Sequence, residues 1–286
     1  MKNQPIRFHK LHGAGNDFVI IDNRSGGKHA RFDGKNAALI RRICDRHFGV
    51  GADGLMLIAD DSGADFQLEY YNADGFPGEM CGNGARCAVW LAHQLGVAAQ
   101  QCKFIVWGEN YEAEVLENQQ VRLKMNPPTF SAERQNLQSL CDNRFPEMGW
   151  LNTGVPHLVV KSAENLAALD VRKFGAYFRY HPKFEPEGVN VNFVVPESEH
   201  QLNVRVYERG VENETLACGT GAVACAIYAA QQWQWQSPVR VNAVGGVLQI
   251  AFDPDFQQIY LTGPVATVFE GELNELYFQN NAVVNQ

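Results

Sequence analysis

Apolar positions fall in short runs separated by polar and glycine-rich punctuation. Phe18 to Asp22, Leu55 to Ile58 and Phe66 to Tyr71 predict strands, the last by its alternation. Ala37, Leu39, Ile40 and Ile43 recur at helical spacing and predict a helix over Asn36 to Asp45. Gly49 to Gly54 and Asn72-Ala73-Asp74-Gly75 read as turns. A glycine-rich segment and a helix over Ala85 to Leu95 come next, then strands at Phe104 to Trp107 and Val121 to Met125. Pro127-Pro128 breaks the chain, and similar elements then recur in a similar order. Strands are predicted at Leu158 to Val160, Val191 to Val195 and Leu202 to Tyr207, then a glycine-rich segment and a helix over Ala222 to Gln232. Two further strands, Val239 to Val241 and Val247 to Phe252, precede a second break at Gly263-Pro264. The polar tail from Asn274 onward is expected to be partly disordered.

An internal repeat organises this pattern. Cys81-Gly82-Asn83-Gly84-Ala85 and Cys218-Gly219-Thr220-Gly221-Ala222 share the form Cys-Gly-x-Gly-Ala, 137 residues apart, and each enters an apolar helix rich in small residues. Upstream of each, a strand ends in tyrosine and a polar residue, Tyr71-Asn72 and Tyr207-Glu208. Two related halves, each presenting one thiol at a helix start, account for this economically.

The chain has 286 residues, 45% hydrophobic and 20% charged, ample for a buried core. A net charge of −8 argues against a nucleic-acid or anionic-membrane surface. Met1 to Lys10 has no apolar run and does not read as a signal peptide. No window reaches the roughly 18 apolar residues of a membrane span, so a cytoplasmic protein is expected. Seven cysteines, an odd number, favour reduced thiols. The spacings Cys81/Cys87 and Cys218/Cys225 lack the short CxxC form of a structural zinc site, so no metal is expected. Cys44, Cys102 and Cys141, and Cys87 and Cys225 inside their helices, read as packing residues.

The repeat carries chemistry because a helix start has unpaired backbone N–H groups and partial positive charge. Glycines let a ligand approach that backbone closely. Each turn therefore offers an anion-binding nest suited to a carboxylate, with a cysteine whose thiolate is favoured by the same helix end. If the two turns face each other across a cleft, one thiolate removes an α-proton while the other thiol delivers one to the opposite face. The helix ends then stabilise charge growing on the carboxylate. A free cysteine has a pKa of about 8.5, so thiol and thiolate coexist near neutral pH. The loop at 82–84 lacks the lysine of a P-loop, and no GxGxxG follows a clear strand, which argues against nucleotide binding. His12 and His47 are assigned no role.

These residues resemble the diaminopimelate epimerase family along nearly the whole chain. His12-Gly13-Ala14-Gly15-Asn16-Asp17-Phe18 looks like its first motif, and Cys44-Asp45-Arg46-His47 with Gly49 to Gly54 like its second. Asn72 to Gly75 and Cys81 to Cys87 resemble the first active-site segment; Pro156-His157, Asn190, Tyr207 to Gly210 and Ala217 to Gly221 resemble the rest. The resemblance implies an α+β fold of two pseudo-symmetric domains, each a curved, mainly antiparallel sheet around a central helix. Their bounds would be 1–127 with 264–286, carrying Cys81, and 128–263, carrying Cys218. It implies conversion between LL- and meso-diaminopimelate by a homodimer needing neither metal nor cofactor. Cys81 and Cys218 would be the acid/base pair, with His157 and Glu208 tuning their protonation. Gly82, Asn83, Gly219 and Thr220 would bind the reacting carboxylate. Asn16, Asn72, Asn190, Glu208 and Arg209 would hold the amino groups and distal carboxylate, for which arginine's bidentate geometry suits.

Two positions depart from the pattern. Many family members carry Gln where this chain has Gly54, and Asn where it has Val155; both are substrate contacts there. Three functions are therefore carried forward: diaminopimelate epimerase, a racemase of another amino acid such as histidine or a proline derivative, and a non-catalytic amino-acid-binding or thiol-redox protein.

Overall fold

The computed structural model describes residues 5–25 and 32–274; the tail expected to be disordered lies, from residue 275, outside the described residues. The chain divides into two compact units, residues 1–121 with 265–286, and residues 122–264.

The first unit contains strands β1 (Ile6–Gly13) and β2 (Asn16–Asp22), helix α1 (Ala37–Cys44), strands β3 (Gly54–Ala59) and β4 (Phe66–Asn72), helix α2 (Gly82–Gln94), and strands β5 (Gln101–Val106) and β6 (Glu109–Leu116). The strands lie side by side in chain order, and the closing strand Ala266–Leu273 pairs with the free side of β1. Successive pairs alternate: β1/β2 antiparallel, β2/β3 parallel, β3/β4 antiparallel, β4/β5 parallel, β5/β6 antiparallel. A parallel pair needs a crossover, and the two helices supply it. Leu39, Ile40 and Ile43 of α1 cover one face through Val19, Ile21, Leu55, Leu57 and Tyr71. The other face, including Phe18 and Met56, lies under α2, where Gly84 sits against both. Burial on both faces explains why β2 and β3 read as near-continuous apolar runs.

The second unit repeats this frame. It holds strand β7 (Gln120–Met125), which crosses the boundary, helix α3 (Ala132–Gln135), strands β8 (Glu147–Asn152) and β9 (Pro156–Lys161), helix α4 (Val171–Arg179), strands β10 (Asn190–Ser198), β11 (Gln201–Glu208) and β12 (Asn213–Thr215), helix α5 (Gly219–Trp233), and strands β13 (Val239–Ala243), β14 (Gly246–Phe252) and β15 (Ile259–Pro264). From β8 the pairs run antiparallel to β9, parallel to β10, antiparallel to β11, parallel to β13 and antiparallel to β14. The alternation matches that of the first unit, with α4 and α5 in the places of α1 and α2. Helix α4 packs Val171 and Phe178 against Leu158, Val160, Val191 and Phe193. Helix α5 is buried from Ala222 through Ala229, as a helix apolar all round must be. The fold is thus α+β and pseudo-symmetric, with mainly antiparallel pairing.

Both repeat helices begin three residues earlier than the sequence predicts. Glycine's low helix propensity weighs little in a first turn whose N–H groups have no intrahelical acceptor anyway. Strand β1 is not announced by the apolar pattern, which is obscured because His9 and Lys10 are buried there; Lys10 is ion-paired to Asp17 at 2.7 Å.

Candidate active site

In the first unit Cys81 is the N-cap of α2, with extended backbone (φ −107°, ψ 112°), and its side chain is half-buried. Its sulfur donates to Asn16 Oδ1 at 3.5 Å, which Asn83 Nδ2 also approaches at 3.5 Å. The Asn16 amide orientation is fixed from behind: its Nδ2 donates to Asp53 Oδ2 at 2.5 Å, and an ionised carboxylate can only accept. Arg46 clamps this corner, reaching Asp17 at 2.8 Å and Asp53 at 2.7 Å. Burial works against the charge on Asp17, but hydrogen bonds from Arg46 and Lys10 outweigh it and hold the carboxyl well below its usual range.

Two further features of this half were not foreseen. Arg86 is 0% exposed and donates to Gly82 O at 3.1 Å and Asn83 Oδ1 at 2.9 Å, while its buried Nε has no hydrogen-bond partner. It ties down the turn behind Cys81 with a charge that burial disfavours. Tyr70 is the other. A Cβ at Gly54 would lie 2.5 Å from Tyr70 Cε2, and one at Gly78 would lie 2.5 Å from Cε1 and 2.9 Å from Asn72 Oδ1. The ring therefore fills the space between these glycines, beside Asn72, and a glutamine at position 54 has no room. Gly54 itself pairs with Asn72 across β3 and β4.

In the second unit Cys218 is the N-cap of α5 (φ −115°, ψ 118°), and its sulfur accepts the Gly221 N–H at 3.4 Å. The Thr220 hydroxyl lies 3.4 Å from that sulfur and 3.0 Å from His157 Nε2. His157 stands at the start of β9 and pairs in register with Asn190 of β10. Asn190 Oδ1 accepts the Arg209 backbone N–H at 2.8 Å, and Arg209 Nη1 donates to Glu187 O at 3.2 Å. Glu208 accepts from the Thr215 hydroxyl. Thr153 is buried and donates to Thr220 O at 2.9 Å, and Asn152 Oδ1 accepts the Gly154 N–H at 2.9 Å. Both side chains thus serve the loop that carries half-buried Val155.

A model of the family described as diaminopimelate epimerase matches residues 8–131 and 149–268. The chain belongs to the diaminopimelate epimerase family. The diaminopimelate epimerase of Aquifex aeolicus is 43% identical over 279 residues, spanning 94% of this chain and 98% of that protein. That of Chlorobaculum tepidum is 42% identical over 267 residues, spanning 92% and 99%. Among solved structures, a phenazine biosynthesis protein of the PhzF family from Bacillus anthracis superposes with a TM-score of 0.71 at 15% identity, covering 95% of this chain and 99% of that one; this likeness concerns the fold alone.

Within this member of the diaminopimelate epimerase family the cysteines separate by environment. Cys87 and Cys225 are fully buried, and burial drives both thiols upward; Cys44 and Cys102 are pushed up to about 12 by burial. Among the described residues Cys81 and Cys218 are the two that N-cap helices; the Cys81 sulfur donates to Asn16 Oδ1 and the Cys218 sulfur accepts the Gly221 N–H. Among the described residues no group of three or more His, Cys, Asp or Glu side chains is placed to hold a metal ion. None of the described helices is long and apolar enough to cross a membrane.

His157 is 0% exposed, and burial, aided by the charge of Arg209, lowers its pKa to about 3. The unfolded chain takes up a proton near pH 6.5 that the folded one refuses. Stability is therefore complete above pH 6.5 and declines as pH falls toward the folded value. From pH 7.5 to 5 the loss should be about 2 kcal/mol. Urea unfolding midpoints across this range, compared with those of His157→Gln, should show a decline that the variant lacks.

Proposed function

We propose that this chain converts LL-diaminopimelate to meso-diaminopimelate without a cofactor, one cysteine from each unit acting at the α-carbon. The observation that carries this reading is the matched pair of turns. In each unit a cysteine N-caps the helix that crosses between the second parallel pair of strands, beside first-turn N–H groups that have no acceptor in the helix backbone and suit a carboxylate. One thiolate takes the α-proton, the other thiol gives its proton to the opposite face, and the sulfurs end with exchanged protonation. Gly82, Asn83, Gly219 and Thr220 hold the reacting carboxylate through these helix starts. Asn16, Asn72, Asn190, Glu208 and Arg209 hold the amino groups and distal carboxylate. His157 and Glu208 tune the thiols, and Gly54 and Val155 line the substrate through backbone and small side-chain surface. Identities of 43% and 42% to named diaminopimelate epimerases support the substrate.

We further take the functional form to be a cytoplasmic homodimer. Among the described residues the closing strand pairs on one side only, and it exposes Val268 and Phe269, which suits a second copy. Free cysteines throughout suit a reducing compartment. A second reading, a racemase of another amino acid, is favoured by Tyr70 occupying the space beside Gly54. Purified protein with reductant and no added cofactor, offered LL-diaminopimelate, histidine, proline and hydroxyproline, separates the two. Turnover of diaminopimelate above the others is expected; preference for another amino acid overturns the substrate assignment, and none on any overturns the enzyme reading.

A further inference from the structure

Asn192 lies on β10, fully buried, and belongs to none of the substrate or acid/base positions assigned above. Its Nδ2 lies 3.2 Å from Leu158 O and 3.1 Å from His157 Nδ1. A backbone carbonyl only accepts, so the Asn192 amide must turn its NH2 group that way; the flipped amide would set two oxygens against each other. The remaining N–H then meets His157 Nδ1, which must be the unprotonated nitrogen. A neutral imidazole carries its proton on the other nitrogen, Nε2. Nε2–H donates to Thr220 Oγ1 at 3.0 Å, which leaves the single Thr220 proton for Cys218 Sγ at 3.4 Å. Asn192 Oδ1, without a hydrogen-bond partner, lies where a Cβ at Gly221 would come within 2.3 Å, which accounts for the second glycine of this turn.

We propose that Asn192 is a positioning residue that fixes the direction of a hydrogen-bond chain, Asn192 to His157 to Thr220 to Cys218, so that the chain donates to the Cys218 sulfur. The opposite tautomer would accept the Thr220 proton at Nε2, turn Thr220 into an acceptor and favour the Cys218 thiol. With Asn192 in place, Cys218 receives two donors, the Thr220 hydroxyl and the Gly221 N–H, and is the sulfur held as thiolate at rest. His157 stays neutral because it is buried and faces the positive charge of Arg209. Around this chain stand His157 on β9, Asn190 and Asn192 on β10, Arg209 beyond β11, Cys218 at the N-cap of α5 and Cys225 within it; charge on Cys218 adds to the burial that drives the Cys225 thiol upward. The proposal deepens the epimerase reading and rests on it for the meaning of the Cys218 thiolate.

The tautomer is read directly by nitrogen NMR of the histidine-labelled full chain near pH 7, with His157→Gln to assign the signal. His157 should carry its proton on Nε2; a proton on Nδ1, or on both nitrogens, overturns the proposal even if neither Asn192→Asp nor Thr220→Val folds. The consequence is read by the pH dependence of iodoacetamide alkylation at Cys218, followed by peptide mass spectrometry. Asn192→Asp supplies an acceptor to His157 Nδ1, reverses the chain and should raise the Cys218 midpoint by about one pH unit or more. Thr220→Val should raise it similarly, and Asn192→Asp should add nothing in that background. An additive shift would mean that the new charge acts directly, and no shift that Asn192 only packs; either overturns the relay. None of these readouts involves a substrate, so a wrong substrate assignment would leave them standing, and a wrong tautomer would leave epimerisation standing.

Discussion

Replacing either Cys81 or Cys218 by alanine should lower turnover of diaminopimelate by at least about a thousandfold, toward the upper range for loss of a general acid or base. The effects should not add. In a two-base inversion each sulfur is useless without the other, so the double variant should be about as slow as either single one. Both variants should fold. Cys81 makes no side-chain capping bond, and the loss of the Cys218 cap to Gly221 N–H should cost about 1 kcal/mol. Turnover measured beside far-ultraviolet circular dichroism and urea unfolding checks both halves of the expectation. A folded single variant with near-normal turnover would remove that cysteine from the chemistry.

Arg86→Met should divide stability from activity. Among the described residues the buried guanidinium meets no carboxylate, bonds the neutral Gly82 carbonyl and Asn83 amide, and leaves its Nε unsatisfied. Replacing such a charge by a hydrophobe of similar volume is often neutral or stabilising, so the urea midpoint should hold or rise. Turnover should fall about a hundredfold, because the turn that aims Cys81 loses both of its ties and small misplacements are costly in catalysis. Arg86→Lys should not restore it, since one ammonium does not reproduce two diverging N–H donors. A variant with normal turnover and a sharply lowered unfolding midpoint would make Arg86 a packing residue.

The sequence made the two cysteine turns legible because a helix start has a short, local signature. Helix α1 was legible for the same reason: Asn36 caps it by accepting the Leu39 N–H at 3.0 Å, and Asp45 ends it. Strands buried on both faces, such as β3, announce themselves as apolar runs. The missed elements have mixed patterns. Strand β1 hides Lys10 in an ion pair, β6 is mostly polar, and α4 carries Gly175, where a Cβ would strike Tyr207. The site followed the same rule. Asn16 and His157 were reached through family resemblance, since a lone asparagine or histidine has no local signature. Arg86 and Asn192 act through partners set by three-dimensional packing; Gly221, seated against Asn192, left a trace of that in the sequence, as Gly54 and Gly78 did of Tyr70.

The central claim is that two different sulfurs serve the two faces of one carbon. Run in deuterium oxide from LL-diaminopimelate and stopped at low conversion, the wild-type reaction should place deuterium at the inverted carbon of the meso product while the recovered LL substrate stays almost unlabelled. Equal early labelling of substrate and product would point to a single base reaching both faces, and would contradict the account.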